Sequence, residues 1–162
     1  MIYKLILFLC LVFPEPSLKE DVLEWQEKVP LKWSDFKGQP QNLGDIAAIT
    51  SSGISFRFSI KENNQKMTDF NTQVQAHFYP KKSWVHKKKS SDHLLAHEQL
   101  HFDITELYAR KLRKEIAQMS ISQNIKQRLN QRYERINKAM TAVQQTYDVE
   151  TNYSRDSIAQ SI

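Results

Sequence analysis

"SSDHLLAHEQLHFDITELYARKLRKEI" (residues 90–116) puts two histidines where an amphipathic helix keeps its apolar side chains. With His97 at 0° and about 100° per residue, Leu100 falls near 300°, Ile104 near 340°, Leu107 near 280° and Tyr108 near 20°. Leu94 and Leu112 both fall near 60°, so these residues mark the predicted buried stripe. His97 and His101, at about 0° and 40°, lie inside it one turn apart. Gln99, Asp103, Glu106 and Arg110 fall between about 180° and 240°, the predicted solvated face, with Glu98 on the border near 100°. Buried imidazoles need partners, because an unpaired polar group in a core costs kilocalories.

"HEQLH" is HExxH on that helix. Side chains at i and i+4 point the same way, so both imidazoles can reach one tetrahedral zinc ion. Glu98 leans toward the open coordination position, where it can take a proton from water and pass it to a leaving amine. The bland alternative is a pair of satisfied core histidines. A catalytic zinc commonly takes a third protein ligand. Glu106 faces away and is placed to pair with Arg110 at i+4, so it reads as surface. His93 would have to reach across a turn, and His77 and His86 have no spacing argument.

A second period-3.6 segment follows after "MSIS". Helices are expected over roughly 91–118 and 121–147, the second carrying Ile125, Leu129, Ile136, Met140 and Val143 and capped by Ser120 or Ser122. So short a link makes a hairpin, which returns the end of the second helix toward the first. There "TYDVETNYS" (146–154) gathers Asp148, Glu150 and Tyr153. Asp148 is the expected third ligand with Glu150 in reserve, and Tyr153 can donate a hydrogen bond to a developing oxyanion.

Upstream, residues 31–86 read as strands. Ile54, Phe56, Phe58 and Ile60 alternate with Ser55, Arg57 and Ser59; "KENNQK" reads as a hairpin connection, and Val74, Ala76 and Phe78 alternate again. The exposed face of the 54–60 strand is a candidate edge for peptide substrate. Trp33 and Phe36 read as core or rim aromatics. The predicted fold is therefore α+β, a small N-terminal antiparallel sheet packed with a long two-helix hairpin.

At 162 residues, 40% hydrophobic and 25% charged, the chain suits one globular domain. Three glycines and no Gly-rich phosphate loop argue against a nucleotide-binding enzyme. "MIYKLILFLCLVFPEPS" carries one early lysine, the apolar run Leu5–Phe13 and a Pro-rich break. That run is too short to span a bilayer and suits a signal peptide, expected over residues 1–18, with one domain over 19–162. Export to the periplasm or medium follows. Lipid anchoring at Cys10 is not expected, since "LFL" lacks the small residue before the cysteine. Removal of the segment would leave no cysteine.

"LLAHEQLHFDITELYARKLR", with upstream W-S-D-F-K-G-x-P and A-A-I-T-S-S-G-I and downstream Y-D-x-E-T-N, resembles a bacterial family of predicted secreted zinc-dependent proteases. The resemblance covers about residues 30–160. It implies a zincin-like metallopeptidase with His97 and His101 as zinc ligands and Glu98 as base. In the family pattern a His-Gly pair usually follows Y-D-x-x-T-x, where this chain has Tyr153-Ser154. A tyrosine can replace a hydrogen-bond donor there, but not a ligating histidine.

"KKSWVHKKK" (81–89) and a net charge of +5 favour either a solvated loop or attraction to anionic envelope surfaces or acidic peptides. Nucleic acid is not expected as a partner, since no recognised binding module is present. A monomer acting on peptide or protein is expected. Two rivals remain: a zinc-binding envelope protein without catalysis, and a metal-free basic module for anionic partners.

Overall fold

The structure is a computed structural model and describes residues 21–161; the expected signal segment lies outside them. Its longest local feature is a β-hairpin formed by β3 (Ser52–Asn63) and β4 (Lys66–Phe78), preceded by the short strands β1 (Leu23–Glu24) and β2 (Ala48–Ile49). β3 and β4 pair antiparallel, with Ile54 opposite Ala76 and Phe56 opposite Val74. At the tip Asn64 and Gln65 hold φ of +48° and +62°, the left-handed pair that turns a twisted two-residue hairpin. A register shift at Lys61/Glu62 bends the strand just before it.

β1 adds to β4, giving a three-stranded sheet in the order β1-β4-β3. β2 pairs separately with β5 (Trp84–Val85). These four junction residues continue the hairpin past an irregular turn anchored by Ser83. That fully buried hydroxyl accepts from the Ser51 amide at 2.9 Å and donates to the Tyr79 carbonyl at 3.0 Å. Gly38 passes against the same turn, donating its amide to the Ser83 carbonyl at 2.8 Å. A Cβ there would lie 2.8 Å from that oxygen and 3.0 Å from the Lys81 carbonyl, so only glycine fits the close approach.

Two long helices cover the sheet, α1 (Asp92–Ala117) and α2 (Ile125–Glu150), with a short α3 (Ser157–Gln160) after them. Ser91 caps α1 by accepting from the Leu94 amide at 3.1 Å. The cap of α2 is Asn124, not Ser120 or Ser122. Ser122 is spent on Asn124 Oδ1 at 2.7 Å, and Arg128 reaches back to Ser122 Oγ and the Ser120 carbonyl. The hairpin buries Leu112, Ile125 and Leu129 completely, together with Phe78 from the sheet. Trp33 and Phe36 join this core, Phe36 buried with its ring centroid 5.1 Å from that of Phe78.

The buried face of α1 is wider than its apolar residues alone suggest. Leu100 and Leu107, expected inside, are 37% and 47% exposed, while Phe102, Thr105 and Ala109 are buried. α1 is covered on two sides, by β4 and by α2, so its buried arc runs from Ile104 round to Glu106 and includes Glu98. Glu106, read as surface from the sequence, is buried. It accepts from Arg110 Nε at 2.8 Å, as its spacing suggested, and also from Arg113 Nη2 at 2.5 Å. Arg113 in turn donates to the Val74 carbonyl at 2.9 Å, tying the helix to β4. Val143 on α2 is 39% exposed, outside the apolar seam.

Candidate metal centre

The open end of the helix hairpin sets the first half of α1 against the last turn of α2. His97 and His101 both aim Nε2 at the same atom, Asp148 Oδ1, at 3.2 and 2.9 Å. One donor atom from each of the three residues lies within 4.8 Å of the others, the one such grouping of His, Cys, Asp or Glu among the described residues. Two imidazole nitrogens and a carboxylate oxygen converging in this way are a donor set suited to zinc.

Tyr147, adjacent to Asp148, holds the imidazoles in place. Its ring stacks on His97 with centroids 4.7 Å apart and planes 21° from parallel, and meets His101 edge-on at 5.3 Å. Burial, reinforced by the carboxylates of Asp148 and Glu98, pushes its phenol up to about 12, so it stays neutral. Beneath the site runs a polar bridge. Thr105 donates to the His101 carbonyl at 3.1 Å, and Gln144 of α2 donates to both that carbonyl and Thr105 Oγ1. Ser52 of β3 closes the bridge, 2.7 Å from Thr105 Oγ1. The two helices that carry the centre are thus hydrogen-bonded to each other and to β3 beside it.

Burial alone would raise the Asp148 carboxyl, but hydrogen bonds from His101 and His97 and their charge hold it well below the usual carboxylate range. It is therefore ionised. Glu98 behaves oppositely. It is 4% exposed, and burial raises its carboxyl above the ordinary value against the pull of Thr50 and the two histidines. The two neighbouring carboxyls are thus shifted in opposite directions by their surroundings.

All four residues line a cleft of about 710 Å³. Its other wall is the stretch Asp45–Thr50, which includes β2, and its mouth is edged by Lys89, Tyr153 and Arg155. Arg155 meets Asp45 across the mouth at 3.5 Å.

Residues 32–155 match a family described as a bacterial protein of unknown function, DUF922. The chain belongs to that family. No curated protein and no solved structure matches it. The family description names no activity, so the chemistry of this DUF922 domain has to be argued from its own side chains.

The structure brings together His97, Glu98, His101 and Asp148, and sets Tyr153 at the rim. Tyr153 is 58% exposed with φ of +54°, the middle of three left-handed residues, Asn152 to Ser154, that turn the chain after α2. His93 pins this turn, donating Nε2–H to the Ser154 carbonyl at 2.9 Å, so its place is beside the site as a brace. Glu150 is exposed and does not line the cleft. His77 is buried on the far side of the sheet, paired with Ser55 at 2.7 Å, and His86 contacts the Gln41 carbonyl. The candidate substrate edge also moves: the wall facing the centre is residues 45–50, not the 54–60 strand. Sequence reading missed Tyr147, Thr105 and Gln144. Tyr147 had a signal, since it lies seven residues beyond Met140 on the same apolar seam.

Proposed function

We propose that this protein is an exported, zincin-like zinc metallopeptidase that acts as a monomer on peptide or protein. The observation that carries the reading is the convergence of His97, His101 and Asp148 within 4.8 Å in a 710 Å³ cleft, beside a buried glutamate. The donor set fits zinc. Asp148 is ionised and the two Nε2 atoms point inward, as ligation requires. Zinc held there supplies Lewis acidity and brings the pKa of a water molecule to about 7.

The chain's own groups do the rest. Glu98 takes a proton from the attacking water and returns it to the leaving amine. Its raised carboxyl suits this double duty, because a group titrating nearer neutrality both accepts and gives back a proton readily. Tyr153 at the rim donates its phenolic hydrogen to the carbonyl oxygen under attack. Tyr147 packs against both imidazoles, and the Thr105–Gln144 bridge holds the backbone that carries His101. The 45–50 wall receives the substrate backbone.

The test is metal content and peptide cleavage measured together on the chain from residue 19 onward. About one zinc per chain is expected, lost in His101→Ala, with cleavage of a mixed peptide library abolished in Glu98→Gln while zinc is retained. A folded wild type that takes up no zinc when it is supplied would overturn the reading. Zinc without turnover would leave a metal-binding envelope protein.

A further inference from the structure

The closed end of the helix hairpin carries a charge that the cleft does not use. Residues 110–138 contain nine lysines and arginines against Glu115 and Glu134, a net of +7, whereas the whole chain is +5. The remainder is therefore −2, a balance that includes the five lysines of residues 81–89, while Arg110 and Arg113 pair with Glu106 just outside the segment. On the flank of α2, Arg128, Arg132 and Arg135 surround a recess of about 300 Å³. Glu115 of α1 accepts a hydrogen bond from Arg135 and forms an ion pair with Arg132 at 3.6 Å, while Arg128 is oriented by Ser120 and Ser122. One carboxylate facing three guanidiniums leaves the recess cationic. At the tip, in the turn between the helices, Ile121 is 37% exposed and Met119 is half-buried.

We propose that this end of the hairpin docks on an anionic lipid surface, with the arginine recess seating a lipid phosphate and Ile121 entering the headgroup layer. Many fixed cations beside a protruding apolar side chain suit a membrane interface better than a dissolved polyanion, which offers nothing for the isoleucine. The placement also leaves the cleft free. From His101 to Ala117 is 16 residues of helix, or about 24 Å at 1.5 Å per residue, so a docked molecule holds its cleft away from the bilayer. No helix among the described residues is long and apolar enough to cross a membrane, and the docking is peripheral.

The experiment is co-sedimentation of the chain from residue 19, which contains every described element, with vesicles. Phosphatidylcholine vesicles containing a third phosphatidylglycerol are compared with pure phosphatidylcholine. Binding to the mixed vesicles alone is expected, weakening as salt rises. An Arg132→Gln/Arg135→Gln double variant should bind about 25-fold more weakly, at roughly fivefold per surface cation. Lys126→Gln/Lys138→Gln, which alters two exposed side chains outside the Glu115 cluster, should weaken binding similarly with no change in melting temperature. Ile121→Ser should weaken vesicle binding several-fold yet leave retention on immobilised heparin unchanged. No binding to mixed vesicles at low salt overturns the proposal. So does binding that survives the hairpin variants but falls in Lys87→Gln/Lys88→Gln, or an Ile121→Ser variant that binds vesicles as tightly as wild type.

Discussion

Zinc added to the chelator-treated protein should raise its melting temperature by about 5–10 °C. The donors come from sites 47 and 51 residues apart in sequence, so an unfolded chain does not present them together. Binding therefore stabilises the folded state alone. At free zinc a hundredfold above Kd the gain is about 2.7 kcal/mol. A domain of this size shifts by roughly 2–4 °C per kcal/mol, which gives the range stated. Circular dichroism or dye-based melting measures it directly. His101→Ala and Asp148→Ala should each lose most of the shift, while Glu150→Ala should keep it, because that side chain is exposed and off the cleft. The shift should also shrink in acid, since protons compete with zinc for the ligand atoms. A folded wild type with no shift, or an equal shift in His101→Ala, would refute the reasoning.

Three further perturbations test the scaffold. Gly38→Ala places a methyl group 2.8 Å from the Ser83 carbonyl and strains the paired bonds from Lys37 and Gly38; a loss of about 2 kcal/mol in urea unfolding is expected, and a loss under about 0.5 kcal/mol would show that the turn yields. Leu112→Ala empties a completely buried site between the helices and sheet, so a cost in the upper part of about 2–5 kcal/mol is expected, read by the same assay. Glu106→Ala removes the acceptor shared by Arg110 and Arg113, and because both guanidiniums are partly exposed and rehydrate, the expected cost is only about 1–2 kcal/mol. Its melting should be less salt-sensitive than that of wild type.

The helix pair and the convergence of its ends were legible because a 3.6-residue period and a short link leave few alternatives. The same logic found Asp148 from the direction in which the second helix returns. It misplaced Glu106, Leu100 and Leu107, because a helical wheel counts apolar side chains and is blind to what covers them. Here α2 and β4 cover adjacent faces of α1, so Glu106 is enclosed by its own arginine partners while two leucines are left outside. Ser122 failed as a cap for a related reason: in the folded turn its hydroxyl donates to Asn124 Oδ1 and accepts from Arg128. The junction at Ser83 and the wall at 45–50 left no periodic trace, since strands of two residues have no period to read.

The centre lies at the mouth of the helix hairpin, the point farthest along both helices from the turn that joins them. A hairpin of this kind closes most cheaply from its turn, where the loop to be ordered is shortest. Asp148, in the last turn of α2, then reaches the two histidines only when the zipper has run to its end. A chain emerging from synthesis has one half of the centre on each of two unjoined stretches of polypeptide. The assembled centre is thus a late product of folding, and partly folded molecules lack it.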